Sequence, residues 1–378
     1  MSKTGGANVE SLRQLLDRDL DYVCENLRDE LAAMAGRPLL MTGGAGFLGY
    51  YMVQSILHHN DRGAASERIP LTVFDNYVRG VPAWLEALRS RDDLTLVRHD
   101  IRDPLPSPMP DFEYIIHAAG IASPTYYRAH PLETMDANID GLRRLLEYAR
   151  ARRDQGKKFA GFIFYSSSEI YGDPIAGMIP TPEDYRGNVS CTGPRACYDE
   201  SKRYGETLCV VFARHYGVPV RMVRPFNNYG PGLKISDRRV LPDFARDVLA
   251  GRDIVMLSDG SPTRTFCYVA DAVVGYYKAL VRGRPGEAYN VGIDRPEISM
   301  KDLAERVVST ARELFGYSGR VVTGTSDETD YLVDNPNRRC PDMTKSNREL
   351  GYHPTILIDE GLRRSLTWYH YHPEAADA

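Results

Sequence analysis

Tyr198 and Lys202 stand four residues apart in Tyr198-Asp199-Glu200-Ser201-Lys202, a spacing that puts a phenol and an ammonium on one face of a helix. An ammonium near a phenol favours phenolate, which predicts a tyrosine pulled below its ordinary value of about 10 and able to take a proton from an alcohol. A second group, Thr42-Gly43-Gly44-Ala45-Gly46-Phe47-Leu48-Gly49, follows the apolar run Pro38 to Met41 and opens into Tyr50-Tyr51-Met52-Val53-Gln54-Ser55-Ile56-Leu57. Its glycines therefore fall on a strand-to-helix turn, where Gly43, Gly46 and Gly49, with the backbone at Phe47 and Leu48, let N–H groups hold a pyrophosphate. Together the two groups describe a dinucleotide cradle and an alcohol-oxidising pair.

Asp75 ends the next apolar segment, in Val73-Phe74-Asp75-Asn76. A carboxylate there can accept from both ribose hydroxyls of NAD and would repel the 2′-phosphate of NADP, so NAD is the expected cofactor. Arg79 is close enough in sequence to oppose that preference; its other use is as a solvated loop charge. Asn76 extends the ribose edge, Asp100-Ile101 is placed to meet the adenine, and Ala118, in His117-Ala118-Ala119-Gly120, leaves room for the ligand. The small residues have a second use, which is to permit close helix packing.

The elements that must position these groups follow an alternating rhythm. Strand-like segments at Leu71 to Phe74, Leu94 to Val97, Tyr114 to His117, Gly161 to Tyr165 and Val218 to Val223 alternate with helical ones. That predicts an α/β fold, a Rossmann-like doubly wound parallel sheet over residues 37–225. Residues 226–378, richer in Gly and Pro and with helices expected at Met300 to Phe315 and Glu360 to Tyr369, are expected to form a smaller α/β substrate-binding domain interleaved with the first. Residues 1–36 precede the nucleotide fold. Val9, Leu12, Leu16, Leu20, Val23, Leu27, Leu31 and Met34 recur there at helical spacing, which predicts a helical extension packed on the parent domain or across a dimer.

Composition excludes several other classes. A net charge of -4 on 378 residues, with 43% hydrophobic residues, suits a large buried core and argues against non-specific nucleic-acid or membrane-surface binding. No apolar run approaches the roughly 20 residues of a membrane span, and the polar N-terminus does not resemble a signal peptide, so a cytoplasmic protein is expected. Cys24, Cys191, Cys197, Cys209, Cys267 and Cys340 form no CxxC pair, and the His370–His372 tail lacks partners, so neither a disulfide framework nor a metal site is expected.

The glycine motif, the set Ser167, Tyr198 and Lys202, the segment Arg224-Pro225-Phe226-Asn227-Asn228-Tyr229-Gly230-Pro231 and the segment Thr263-Arg264-Thr265-Phe266-Cys267-Tyr268-Val269 resemble the extended short-chain dehydrogenase/reductase superfamily, in its nucleotide-sugar branch. Three stretches resemble the UDP-glucuronate decarboxylases within it. Ser166-Ser167-Ser168-Glu169-Ile170-Tyr171 is similar to their Thr-Ser-Glu-Val-Tyr, with Ser168 where the 4,6-dehydratases have an acidic Asp. Pro194-Arg195 precedes the tyrosine where dehydratases and epimerases typically have Ser-Pro, and Arg338-Arg339-Cys340-Pro341-Asp342 resembles Arg-Lys-Pro-Asp. Ala122-Ser123-Pro124-Thr125-Tyr126-Tyr127 likewise resembles Ala-Ser-Pro-x-x-Tyr.

The resemblance implies a catalytic set of Tyr198, Lys202, Ser167, Glu169 and Arg339. Tyr198 would be the base, Ser167 would share its hydrogen bond, and Lys202 would hold the nicotinamide ribose. Ser123, Tyr127, Ser168, Arg195, Asn227, Arg239, Arg264 and Arg339 would contact a nucleotide-sugar substrate. Oxidation at carbon 4 of a UDP-uronic acid makes a β-keto acid that loses carbon dioxide readily; UDP-glucuronate to UDP-xylose is the expected conversion, with Glu169 and Arg339 positioning the ring and reprotonating carbon 5. Arg195 has an alternative use as the ion-pair partner of Glu183 or Asp184, and Glu169 as a structural carboxylate. A 4-epimerase or 4,6-dehydratase of the same fold, or a non-catalytic NAD-binding protein, are the other readings. Relatives form homodimers by pairing the helix of Tyr198 with the preceding helix Thr134 to Arg152, so a homodimer is implied.

Overall fold

The structure, a computed structural model, describes residues 12–325 and 333–371. Its centre is a parallel sheet whose strands are buried on both faces, which is why they read as continuous apolar runs. Strands β1 (Leu39–Thr42), β2 (Leu71–Asp75), β3 (Leu94–Arg98), β4 (Tyr114–His117), β5 (Gly161–Tyr165) and β6 (Val220–Pro225) are joined at the edge by Ala288–Val291. The order is Ala288–Val291, β6, β5, β4, β1, β2, β3. Successive side chains point to opposite faces. Met41, Val73, Ile116 and Ile163 enter one core, while Leu40, Phe74, Ile115, Phe162 and Phe164 enter the other.

Chain order reverses between β1 and β4, which are neighbours with Met41 opposite Ile116. The crevice at their carboxyl ends is the switch point where such sheets take ligands. Helix α1 (Leu12–Asn26) and helix α2 (Arg28–Met34) form the N-terminal extension, and α3 (Phe47–Arg62) follows the glycine turn. Leu20, Val23, Leu27, Leu31 and Met34 are buried in the core that also holds α3, while Leu12 and Leu16 are half-buried and Val9 lies outside the described residues. The extension is also tied by charge. Asp19, fully buried, accepts from the hydroxyls of Tyr51 and Tyr268 at 2.6 Å each and pairs with Arg364 of the C-terminal helix Ile358–Tyr371.

Beyond Pro225 the chain builds small pieces of sheet over the crevice. Thr263–Arg264 pairs antiparallel with Ile298–Ser299 and parallel with Arg338–Arg339, and the register sets Arg339 opposite Arg264. Helix Met300–Phe315 begins at Ser299, whose hydroxyl accepts from the Asp302 N–H, and ends at Gly316 with φ +67°.

Candidate active site

One cavity of about 1540 Å³ runs from the glycine turn past Tyr198 and Lys202 to Arg264 and Arg339. Gly43, Gly46, Phe47, Leu48, Asp75, Asn76, Asp100, Ile101 and Ala118 line its first half. Gly43 has φ +76°, and a Cβ there would lie 2.7 Å from the backbone of Ala119. Gly49 is behind the wall. A Cβ on it would lie 2.0 Å from the Gly44 carbonyl oxygen, so its part is to let α3 pack on the turn.

Asp75 is fixed by backbone donors, the N–H of Ala45 at 3.0 Å and of Tyr77 at 2.8 Å, and burial raises its pKa against them. Arg79 turns away from it. Its guanidinium donates to Asp237 Oδ1 at 2.9 Å and Ser236 Oγ at 3.0 Å, so no arginine of this loop is aimed at a 2′-phosphate. Asp100 accepts from Asn76 Nδ2 at 3.0 Å and from Arg102, whose guanidinium is the main cause of its depressed pKa. A glycine turn that a Cβ would fill, together with a carboxylate at the end of β2, fits a dinucleotide.

Tyr198 and Lys202 lie on the helix Ala196–Tyr216, both buried, with Lys202 Nζ 5.6 Å from the phenol ring centroid. Nζ donates to the Tyr165 carbonyl at the end of β5, 2.8 Å away. Burial pushes Tyr198 up to about 12, opposed by its hydrogen bond with Ser167, and burial pushes Lys202 down to about 7. The expected depression of the tyrosine by the lysine is thus reversed in the protein itself, because a low-dielectric wall disfavours phenolate and ammonium alike. Tyr127 stacks on Tyr198, centroids 5.0 Å apart and planes within 12°.

Glu169 stands opposite, on the short turn Ser168–Tyr171 after β5. Arg339 grips it with Nη1 to Oε1 and Nη2 to Oε2, 2.6 Å each, and Arg195 donates a third charged hydrogen bond to Oε2. Burial opposes ionisation, yet the two guanidiniums outweigh it and hold the carboxyl well below its usual range. Arg195 therefore pairs with Glu169, while the Glu183 carboxylate caps the Asn290 N–H at 2.8 Å. Among the described residues Arg264 bonds no carboxylate: its guanidinium donates to the carbonyls of Thr263, Pro336 and Asn337 and to Asn335 Oδ1. Burial, then the nearby Arg339, lower its pKa to about 9, with Glu169 opposing them.

The remaining expected residues share the cavity wall. Ser168 is buried there with no carboxyl of its own, and Ser123 Oγ donates to the Asp237 carbonyl at 2.7 Å. Asn227, at φ +39°, spends its amide on the Thr265 carbonyl, and Arg239 pairs with Asp237 at 2.8 Å. Three further groups escape sequence reasoning. The Tyr165 carbonyl is a backbone atom and carries no side-chain signal. Asn138, in the π-helical turn Ala137–Gly141, donates to Ser201 Oγ at 2.9 Å; set between Asp136 and Asp140, it carries no distinguishing signal in the sequence. Asp199 is a buried carboxyl 3.8 Å from Arg195 Nε. Among the described residues no cluster of metal-binding side chains occurs, all six cysteines are free, and no helix is long and apolar enough to cross a membrane.

The model of the NAD dependent epimerase/dehydratase family matches residues 39–292. UDP-glucuronic acid decarboxylase 5 of Arabidopsis thaliana is 34% identical over 336 residues, which are 89% of this chain and 90% of that protein. UDP-glucuronic acid decarboxylase 1 of Xenopus tropicalis is 32% identical over 331 residues, 88% of this chain and 72% of that protein. Of solved structures, dTDP-glucose 4,6-dehydratase from Streptomyces venezuelae with NAD and TYD bound superposes with a TM-score of 0.75 at 26% identity, covering 90% of this chain and 99% of that one. UDP-glucose 4-epimerase from Thermotoga maritima with UDP-glucose gives 0.73 at 25% identity, covering 88% and 99%. A sheet with its switch point at the glycine turn, a Tyr198–Lys202 pair on the cavity wall and relatives matched along nearly the whole chain make this an enzyme of the extended short-chain dehydrogenase/reductase type, and the chain belongs to the NAD dependent epimerase/dehydratase family.

Proposed function

We propose that the enzyme decarboxylates a UDP-uronic acid, UDP-glucuronate to UDP-xylose, by oxidation at carbon 4, loss of carbon dioxide and re-reduction. The observation that carries this reading is the convergence of Arg195 and Arg339 on Glu169 in the wall that also holds Tyr198. Two buried guanidiniums sharing one carboxylate leave positive charge over for an anionic sugar, which a neutral hexose does not need. The relatives named for UDP-glucuronic acid decarboxylation support it. Ser168 supports it from the other side, because a hydroxyl is a poor acid for expelling water in a dehydratase.

NAD, when bound, supplies a reversible two-electron oxidant for carbon 4 of the sugar. The residues that would hold it are Gly43, Gly46, Phe47, Leu48, Asp75, Asn76, Asp100, Ile101, Ala118, Tyr198 and Lys202. Tyr198 takes the proton of the carbon 4 hydroxyl, and Ser167 shares the hydrogen bond. A β-keto acid loses carbon dioxide as the ketone accepts the electrons, so the same two hydroxyls are placed to offset charge growing on the carbon 4 oxygen. Once carbon dioxide has left, carbon 5 takes a proton; Glu169, ionised at rest, would draw it from solvent and pass it on, with Arg339 positioning the ring. Its carboxylate also aligns Arg195 and Arg339. Arg264, Asn227 and Arg239 are placed for the diphosphate and nucleotide end.

The test is mass spectrometry of nucleotide sugars after incubation with NAD and UDP-glucuronate, with UDP-glucose in parallel. A loss of about 44 mass units from the uronate is the expected result. An unchanged mass with a new chromatographic peak would make the enzyme an epimerase instead. We also read the protein as a cytoplasmic homodimer: Leu132, Met135, Tyr204 and Val211, on the helices Pro131–Asp136 and Ala196–Tyr216, are exposed apolar side chains suited to a partner copy.

A further inference from the structure

Asp199 follows the proposed base directly, in the first turn of its helix, yet lies outside the cavity wall, behind Arg195. Its side chain is 7% exposed and that of Arg195 8%. The two are close without bonding. Arg195 Nε stands 3.8 Å from Asp199 Oδ2, Nε has no hydrogen-bond partner, and Asp199 Oδ1 has none either. Arg195 spends its Nη2 on Glu169 instead. A buried carboxylate beside a guanidinium would ordinarily take a charged hydrogen bond from it, so the arrangement suits Asp199 as a neutral acid.

Charge counting gives this a consequence. Glu169 contributes one negative charge, Arg195 and Arg339 two positive ones. With Asp199 neutral one positive charge is left over; with Asp199 ionised the four groups cancel. We propose that Asp199 is a specificity-determining positioning residue: as a neutral acid it leaves the arginine pair one uncompensated charge for the carboxylate of the substrate, and as a carboxylate it cancels that charge. This rests on the reading of the substrate as a uronic acid.

The groups facing Asp199 agree with it. Besides Arg195, they are Glu169 on the turn after β5, Arg339 on the strand Arg338–Arg339, Asp334 in the loop before that strand, Tyr127 on the helix Pro124–Ala129, and its neighbours Cys197 and Tyr198. Burial and then the charge of Glu169 raise its pKa, the two arginines opposing, and the exposed Asp334 raises it further. Raised in this way, Asp199 ionises as pH climbs above neutrality. The sign follows: uronate affinity is full at low pH and lost as pH rises.

The experiment measures dissociation constants of UDP-glucuronate and UDP-glucose by calorimetry on the full chain with NADH, which cannot accept the carbon 4 hydride and so prevents turnover, from pH 6.5 to 9.5, in wild type and Asp199→Asn. The uronate carboxylate is ionised throughout, and the ratio of the two constants cancels titration of Tyr198 and Lys202. The expected result is a preference for the uronate at pH 6.5 that shrinks about tenfold by pH 9.5 in wild type, as for loss of one charge pair, and does not change with pH in Asp199→Asn. A purely structural role would weaken both ligands together at every pH. A wild-type ratio that is flat, or that falls equally in the variant, overturns the proposal; if Asp199→Asn does not fold, the wild-type ratio alone decides. No preference for the uronate even at pH 6.5 overturns the decarboxylase reading itself, and this proposal with it.

Discussion

Arg339 holds Glu169 by two parallel hydrogen bonds of 2.6 Å, from a strand whose register sets it beside Arg264. The bidentate geometry fixes a guanidinium plane and not merely a charge, so lysine cannot replace it. Arg339→Lys is expected to lower kcat/KM for the uronate at least about tenfold while the fold survives. Glu169→Gln, which leaves two buried guanidiniums on a neutral amide, is expected to cost about 3–5 kcal/mol of stability as well. Steady-state carbon dioxide release and denaturant midpoints check both.

Tyr198→Phe removes the proposed base and keeps the ring that stacks on Tyr127. Turnover is expected to fall by about 10²–10⁴ with nucleotide-sugar affinity nearly unchanged. A variant turning over at the wild-type rate would sink the assignment.

Asp75 and Arg79 are near in sequence and pull apart in space. Asp75→Ala is expected to weaken NAD binding by about ten- to a hundredfold, the loss of hydrogen bonds to a charged group. Arg79→Ala is expected to leave the ratio of NAD to NADP affinity unchanged, since Arg79 is committed to Asp237 and Ser236. Titration with both dinucleotides reads the two ratios.

His117 is fully buried at the end of β4, its Nδ1 2.8 Å from Thr42 Oγ1, and burial pushes its pKa down to about 3, Lys202 adding to the effect. The unfolded chain binds this proton near 6.5 and the folded chain only near 3, so the contribution to stability is full above pH 6.5 and falls as pH drops. At pH 4.5 the loss is about 3 kcal/mol. Urea melts of wild type and His117→Asn at pH 7 and 4.5 check it: the variant should lose less stability over that interval.

Asp19 joins three elements far apart in the chain through Tyr51, Tyr268 and Arg364. Asp19→Ala leaves Arg364 with Glu360 alone and takes the acceptor from two buried hydroxyls, at an expected cost of about 1–3 kcal/mol for each hydroxyl left unpaired. Thermal melts should also show that deletion of residues 1–36 prevents cooperative folding. An unchanged melting temperature in Asp19→Ala would show that the Asp19 network does not hold the extension in place.

Features set by neighbours in sequence were legible without the fold. Tyr114–His117, Gly161–Tyr165 and the helix Met300–Phe315 have the ends expected of them, and the glycine turn and the i, i+4 pair Tyr198–Lys202 are where their spacing puts them. Residue period, turn chemistry and capping act over a few residues, so a linear pattern carries them. β6 begins later than expected, at Val220, because the Val218 N–H still closes the end of the preceding helix on the Phe212 carbonyl.

Charge pairing was settled by tertiary structure. Arg195 had candidate partners in Glu183 and Asp184 on the preceding loop, yet it meets Glu169, on the turn that follows β5. Arg79 leaves Asp75 for Asp237, and Asp19 finds Arg364 near the other end of the chain. The same holds for protonation: Tyr198 and Lys202 have the expected spacing, but burial raises the pKa of the tyrosine that the lysine was expected to depress. Coulomb energy and desolvation depend on distances in space and on the dielectric around each group, and neither quantity is encoded in the spacing of residues along the chain.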